Sequence, residues 1–309
     1  FDYPVLIHDL HHKILVQKNK ITNSDNYKSI TVPDFLHSHF SSKTNTIRII
    51  AATALSAFVV IYVSAQIDIT GKAFESFLGY NYYFGVLIGF GIVVAYIFSG
   101  GFLAVAWSDL FQGSIMFLAL LVLPITAYLR LPNKMTFLQG LKDIDPALVN
   151  IWGDGGFTFM NFLSVIGLLS IGIGFLGSPQ VYVRFIAIKN TQEIKKGKIV
   201  AVIYTLVSSS CAVMIGMIGR FMFTTNSQNP ETVLGPAGEN VLYLLLIEIM
   251  PTIVVGIYIA ALLSAVMSTV DSLLVVASSA VTRDFYQKIV NPLIDQKTLI
   301  KLSKKITLG

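Results

Sequence analysis

The sequence predicts an all-α polytopic membrane protein. Of its 309 residues, 54% are hydrophobic and only 13% are charged, and the mean hydropathy is +0.70. A soluble domain of this length does not need so much apolar surface. Apolar runs long enough to span the hydrocarbon core of a bilayer, about 20 residues each, recur at residues 47–69, 81–106, 110–130, 158–182, 199–222 and 252–281. We therefore expect about six transmembrane helices.

The positions of the basic residues predict how these spans are oriented. Six spans place three loop segments on the same side of the membrane, and these segments carry 17 of the 22 Lys and Arg residues: 1–48, 184–198 and 283–305. Because cytoplasmic loops are enriched in Lys and Arg, this side is predicted to be cytoplasmic. The sequence pI of 9.1 is thus explained by membrane topology, and no nucleic-acid partner is expected.

The chain divides into a polar cytoplasmic leader, residues 1–46, and a transmembrane core, residues 47–309, which ends in a cytoplasmic tail from residue 283 onward. It opens with Phe1 rather than methionine, and its end resembles the approach to a further span. We expect the chain to be a fragment of a longer transporter that lies, as a multi-pass protein, in the cell (inner) membrane.

The last span carries the most informative polar pattern. Small and hydroxyl side chains lie at i, i+3, i+4 and i+7 and share one helical face, with Asp271 beside it: Ala265, Ser268, Thr269 and Ser272. A carboxylate at membrane depth costs at least ~2.5–3.5 kcal/mol, so it usually faces a partner, a cavity or an ion. Hydroxyl and carboxylate oxygens are ligands that a small hard cation such as sodium prefers. This face predicts part of an ion site.

Two other spans carry features with more than one interpretation. In the fourth, SIGIGFLGSPQVYVRF concentrates Gly172, Gly174, Gly177 and Pro179. It is either a kinked span packed through small residues or a discontinuous helix whose freed backbone groups line a binding site. In the third, Asp109 is either an interfacial cap or a second carboxylate near the ion face. No nucleophile–base pair or metal-ligand spacing predicts an enzyme.

Three segments, in this order, resemble motifs of the sodium/solute symporter family, and most closely its proline and pantothenate branches: GGFLAVAWSD, GFLGSPQVYVRFIAIK and LLSAVMSTVDSLLVVASSAVTRDFYQK. The resemblance implies a LeuT-type fold of two inverted five-helix repeats, of which this chain would hold roughly core helices 3–8. The first core helix of that fold does not appear in the sequence. We therefore expect part of each binding site here, and no transport by the 309-residue polypeptide alone; sodium-dependent uptake by it in vesicles would contradict this expectation.

The resemblance also implies roles for particular residues. One sodium would be held by the backbone carbonyl of Ala265 and the hydroxyls of Ser268 and Thr269. A second would lie among Asp109, Ser268, Asp271 and Ser272. The solute would face the unwound segment that contains Phe175, Ser178, Pro179 and Gln180.

The expected function is therefore sodium-coupled symport of a small organic solute, such as proline or a related amino acid or carboxylate, across the plasma membrane. Sodium would be the coupling ion, with no further cofactor, and the sequence does not name the solute. Two alternatives remain open: a transporter-like sensor module of a signalling kinase, and a proton-coupled carrier in which Asp109 and Asp271 exchange a proton.

Overall fold

The structure, a computed structural model, describes residues 29, 31–132, 134–176, 178–188, 191–226 and 228–308. Regular structure within these residues is helical: α1 Val32–His39, α2 Thr46–Leu78, α3 Tyr82–Arg130, α4 Phe137–Ile144, α5 Phe159–Leu176, α6 Pro179–Ala187, α7 Thr191–Phe223, α8 Glu231–Leu234, α9 Val241–Ile249, α10 Thr252–Ser279 and α11 Gln296–Leu308. A π-helix, Ala280–Val290, continues α10. Three 3-10 helices lie at Lys134–Thr136, Pro146–Val149 and Pro236–Gly238.

Among the described residues, four helices are long and apolar enough to cross a membrane, or five if the bent pair α5–α6 forms one span. The predicted second span, 81–106, is represented there only by the shorter apolar segment Tyr82–Ala95. Large apolar side chains are exposed along these helices, among them Phe58 at 73% and Leu168 at 68%. Exposed apolar surface of this kind suits contact with lipid. The chain is a multi-pass integral membrane protein.

The second and third predicted spans lie in one continuous helix, with no loop between them. α3 has 49 residues, which correspond to a length of ~74 Å, more than twice the ~30 Å hydrocarbon core. The predicted boundary rested on polar residues near position 108, and these do not end the helix. Ser108 Oγ donates to the carbonyl of Val105 at 2.9 Å within the helix, and Asp109 pairs with another helix. Each of these side chains thus has a partner without a break in the helix.

The described residues form two compact units. Unit 1 is drawn from Phe1–Gly113, Ile173–Ile199 and Leu263–Gly309. Its hydrophobic core joins one stripe of α2 to one stripe of α10, with buried residues three or four positions apart along each helix, as helical periodicity requires. The core includes Leu55, Val59 and Val63 from α2 and Val266, Val270, Leu273 and Val276 from α10. These stripes fix which face of α10 remains for polar contacts.

Part of the predicted polar leader folds onto unit 1. Thr31 is the N-cap of α1, accepting from the backbone N–H of Asp34 at 3.3 Å, and Pro33 lies in the first turn. The sequence Thr-x-Pro-Asp favours the start of a helix. The polar composition of the leader as a whole did not indicate this helix. Burial, followed by the charge of Arg48, lowers the pKa of His37 in α1, so its imidazole is neutral near pH 7. The histidines at positions 8, 11 and 12 lie outside the described residues.

Five polar residues attach α1 to α2 and to the π-helix; we call them the α1 docking cluster. Thr31 Oγ1 donates to Asp284 Oδ1 at 2.5 Å, and Arg48 Nη2 donates to Asp34 Oδ1 at 2.7 Å. Lys288 Nζ lies 3.9 Å from the same Asp34 oxygen. Asp284, Arg48 and Asp34 are 0%, 6% and 8% exposed. Two acidic and two basic side chains therefore meet in a site that is largely withdrawn from solvent.

Unit 2 is drawn from Ser114–Gly172 and Val200–Leu262. Its buried aliphatic residues include several large side chains that are at most 1% exposed: Leu123 of α3, Leu141 of α4, Ile218 of α7, and Leu245 and Leu246 of α9. Phe137 contacts Phe221 edge to face at a centroid distance of 5.3 Å. This ring pair joins the start of α4 to the end of α7.

Within unit 2, Gly219→Ala in α7 should destabilise the protein by about 1–3 kcal/mol, because the new methyl group overpacks the contact with α9. An ideal Cβ at Gly219 would lie 2.6 Å from Val241 Cγ1 and 3.5 Å from Leu245 Cδ1. Gly216→Ala is the matched control on the same helix, since a Cβ there meets nothing within 4 Å. Thermal unfolding in detergent checks the prediction, and equal midpoints for the two variants would contradict it.

Candidate sodium and solute site

The hydroxyls of the predicted first sodium site converge on one backbone oxygen of α10. Ser268 Oγ donates to the carbonyl oxygen of Ala265 at 2.9 Å, and Thr269 Oγ1 approaches the same oxygen at 3.3 Å. All three residues are half-buried. Hydroxyls can rotate, so both hydrogens can turn away and leave three oxygen lone pairs facing a cation. The sequence-predicted residues thus form a compact set of oxygens on one helical face.

Next to this set lies a fully buried carboxylate. Asp271 is 0% exposed and Ser272 is 7% exposed. Asp271 receives hydrogen bonds from two hydroxyls, from Ser108 of α3 to Oδ2 and from Ser272 to Oδ1, both at 3.2 Å. Ser272 also donates to the carbonyl of Ser268 at 2.9 Å. These contacts link the two predicted sodium sites through one run of oxygens along α10.

An arginine from α6 enters the predicted second site. Arg184 Nη2 forms an ion pair with Asp109 Oδ2, and it also donates to Ser272 Oγ at 2.6 Å. Asp109 Oδ1 is buried and has no hydrogen-bond partner in the described part of the chain. A single guanidinium nitrogen therefore contacts two of the four residues that were assigned to a second sodium. We call the group of Asp109, Arg184, Asp271 and Ser272 the arginine–aspartate cluster.

The predicted solute-facing segment is a break between two helices. α5 ends at Leu176, α6 begins at Pro179, and the two are bent by 50°. Ser178 has extended backbone angles (φ −66°, ψ 136°), as the residue before a proline prefers. Its Oγ is buried without a partner among the described residues. Of the two open interpretations of this span, the discontinuous helix is the one observed; Gly177 itself lies outside the described residues.

The remaining residues predicted to face the solute flank this break. Phe175 is 58% exposed, while Pro179 and Gln180 are half-buried at the start of α6. Arg184 follows Gln180 by four residues, so the two lie on the same side of α6. The short helix that starts at the predicted solute segment therefore also carries the cation of the arginine–aspartate cluster.

The pairing of Arg184 with Asp109 was not predicted from the sequence. A positive charge one helical turn beyond the Gly/Pro break was the available signal, because a buried carboxylate needs a cationic or polar partner. The α1 docking cluster was also missed. There, the i, i+4 spacing of Asp284 and Lys288 pointed to a polar face at the end of the last span. An exposed pair with the same i, i+4 spacing lies on α2, where Lys72 Nζ is 3.2 Å from Asp68 Oδ2.

The discontinuous helix beside a polar face on a long apolar helix defines a class of protein: a multi-pass secondary transporter fold, in which broken helices frame the binding sites. Residues 5–308 match the sequence model of the Sodium:solute symporter family. The chain belongs to this family.

Similarity to particular proteins agrees with this assignment. The chain is 33% identical over 284 residues to the high-affinity proline transporter PutP of Bacillus subtilis, a match that covers 91% of this chain and 57% of that protein. It is 33% identical over 265 residues to a sodium/proline symporter of Staphylococcus aureus, covering 84% of this chain and 49% of that one. The chain thus spans about half the length of the curated relatives it matches.

A solved structure shares the fold. A Na+-coupled sialic acid symporter in a substrate-bound outward-open state superposes with a TM-score of 0.78 at 21% identity, covering 99% of this chain and 63% of that one. This similarity confirms the predicted fold class, an all-α membrane protein with part of the LeuT-type fold.

Proposed function

We propose that this chain is part of a sodium-coupled symporter that carries a small organic solute, such as proline or a related amino acid or carboxylate, across the cell membrane. Sodium is the coupling ion. The observation that carries the proposal is the convergence of the Ser268 and Thr269 hydroxyls on the Ala265 carbonyl. The names of the proline-carrying relatives support the solute class.

The three oxygens of α10 contribute to coupling by exchanging partners. Without sodium, both hydroxyl hydrogens point to Ala265 O. When sodium binds, they turn away, and the ion replaces two weak internal hydrogen bonds with charge–dipole contacts. This exchange is favourable only in the conformation of the protein in which the other sodium ligands are in place. Sodium therefore shifts the equilibrium toward that conformation, by an amount set by the difference between its affinities for the two conformations.

The start of α6 is suited to the charged end of an amino acid or carboxylate. The N-terminus of a helix carries a partial positive charge, and discontinuous helices in transporters direct such ends at anionic groups. Ser178 adds a buried hydroxyl without a partner among the described residues, and the exposed ring of Phe175 adds an apolar surface. We propose that a solute carboxylate binds at Ser178 and Gln180, with the rest of the solute against Phe175.

Replacing Thr269 with alanine should raise the sodium concentration that half-saturates uptake by ~10-fold or more, because a hydroxyl that contacts a charged group contributes about 1.5–3 kcal/mol. The maximal rate at saturating sodium should change less. Radiolabelled proline uptake into proteoliposomes that contain the full-length gene product measures both quantities, at fixed pH and under an imposed sodium gradient.

Ser279→Ala is the matched control, because Ser279 also donates to a carbonyl of α10, that of Val276 at 2.8 Å, yet lies three turns beyond the predicted site. It should leave the sodium dependence unchanged. An unchanged sodium dependence in Thr269→Ala would count against this site. Uptake that follows a pH gradient and ignores sodium would favour the proton-coupled carrier, and sodium binding without any uptake would favour the sensor.

A further inference from the structure

The arginine–aspartate cluster holds a positive charge where a second sodium was predicted. Arg184 Nη2 is bonded to Asp109 Oδ2 and to Ser272 Oγ, and a sodium ion there would need the lone pairs of the same two oxygens. A guanidinium and a sodium ion cannot both occupy this position. The two cations are therefore alternatives at one site.

The charge balance of the cluster shows what each occupant would do. Asp109 and Asp271 carry two negative charges and Arg184 carries one positive charge. Asp271 is fully buried, and its link to Arg184 passes through Ser272, which bonds to both. With Arg184 in place, the Asp109 carboxylate and the Ser272 hydroxyl are occupied by the guanidinium. With Arg184 withdrawn, the same two oxygens face the ion, and its binding becomes stronger.

Arg184 has the freedom that such an exchange requires. Its side chain is 47% exposed, whereas that of Asp109 is 19% exposed, so the guanidinium can return to water at a small cost. It lies on α6, which has nine residues and is separated from α5 by the bend. The other end of α6 begins at the proposed solute segment.

We propose that Arg184 is a tethered cation that competes with the second sodium and thereby links that sodium to the solute. Solute binding at the start of α6 moves the helix and withdraws the guanidinium from Asp109 and Ser272, so a sodium ion takes its place. By thermodynamic reciprocity, the second sodium raises the affinity for solute by the same factor. Arg184 is a positioning residue in this scheme, and the scheme rests on the proposed function.

The test is the binding of radioactive sodium to the purified full-length gene product, with and without proline. In Arg184→Gln, which removes the charge and keeps a hydrogen-bond donor, we expect the second sodium to bind ~10-fold more tightly than in the wild type. Its affinity should no longer respond to proline. Arg184→Lys, which keeps the charge, should remain close to the wild type. Lys195→Gln, which removes an exposed charge of α7, is the matched control and should have no effect.

Each outcome bears on one claim. Weaker or unchanged sodium binding in Arg184→Gln would overturn the competition. If that variant does not fold, Asp109→Asn provides the second measurement: it should release Arg184 from its ion pair and abolish the response of the second sodium to proline, and a preserved response would overturn the linkage. Failure of the proposed function looks different, because wild-type protein would then show no sodium-dependent uptake at all.

Discussion

Asp271→Asn should raise the sodium concentration that half-saturates the second site by about 100- to 1,000-fold. The reason is electrostatic: two unit charges at 4 Å interact by about 4 kcal/mol at an effective dielectric constant of 20, and Asp271 is 0% exposed. Asparagine keeps a polar group for the hydroxyls of Ser108 and Ser272 but removes the charge. The second site then loses the attraction of a fully buried carboxylate.

Equilibrium binding of radioactive sodium measures this change, with the size-exclusion profile as the check on folding. Asp68→Asn is the control, because Asp68 is a span carboxylate whose side chain is 45% exposed and pairs with Lys72. It should leave sodium binding unchanged. The affinity of the second site for sodium should be highest in Arg184→Gln, intermediate in the wild type and lowest in Asp271→Asn. Any other order would mean that the charge balance of the cluster does not govern the site.

Arg48→Met should destabilise the protein by about 3–5 kcal/mol, because it leaves Asp34 as a buried carboxylate without its closest cation. Asp34 is 8% exposed, and its other cation, Lys288, is 3.9 Å away. The double variant Arg48→Met/Asp34→Leu removes both charges and should recover most of the loss, since replacing a whole buried pair with apolar residues is often nearly neutral.

Thermal unfolding in detergent checks this pair of variants, and the single variant should melt at least ~6 °C below the wild type. Lys72→Met removes a cation from the same helix, α2, but from an exposed ion pair, so its midpoint should stay within ~2 °C of the wild type. If Arg48→Met behaves like Lys72→Met, the α1 docking cluster does not contribute appreciably to stability.

Much of the fold and part of the site could be predicted from the sequence, because both depend on periodic patterns. Apolar runs define the spans, and the three- and four-residue spacing from Ala265 to Ser272 places their side chains on one face whatever the rest of the chain does. The Gly/Pro run around Pro179 likewise predicts a break, since proline cannot continue the hydrogen-bond ladder of the preceding turn.

The contacts that change the interpretation of the site could not be predicted in this way. Arg184 is 75 positions from Asp109 and 88 from Ser272 in the sequence, and no local periodicity relates them. The same holds for Thr31 and Asp284, 253 positions apart. The continuity of α3 was missed for a different reason. Ser108 and Asp109 resemble a helix boundary, but each contacts another helix, and α3 continues through both residues.

The docking of α1 has a further consequence, because it involves the π-helix that follows α10. π-Helices are rare and usually last a single turn, and this 11-residue example contacts the α1 segment through Asp284 and Lys288. It is covalently continuous with the helix that carries Ala265, and it starts about 22 Å along the axis from that residue. The docking contacts of α1 are thus made to a segment whose backbone continues that of α10, the helix that carries the predicted sodium site.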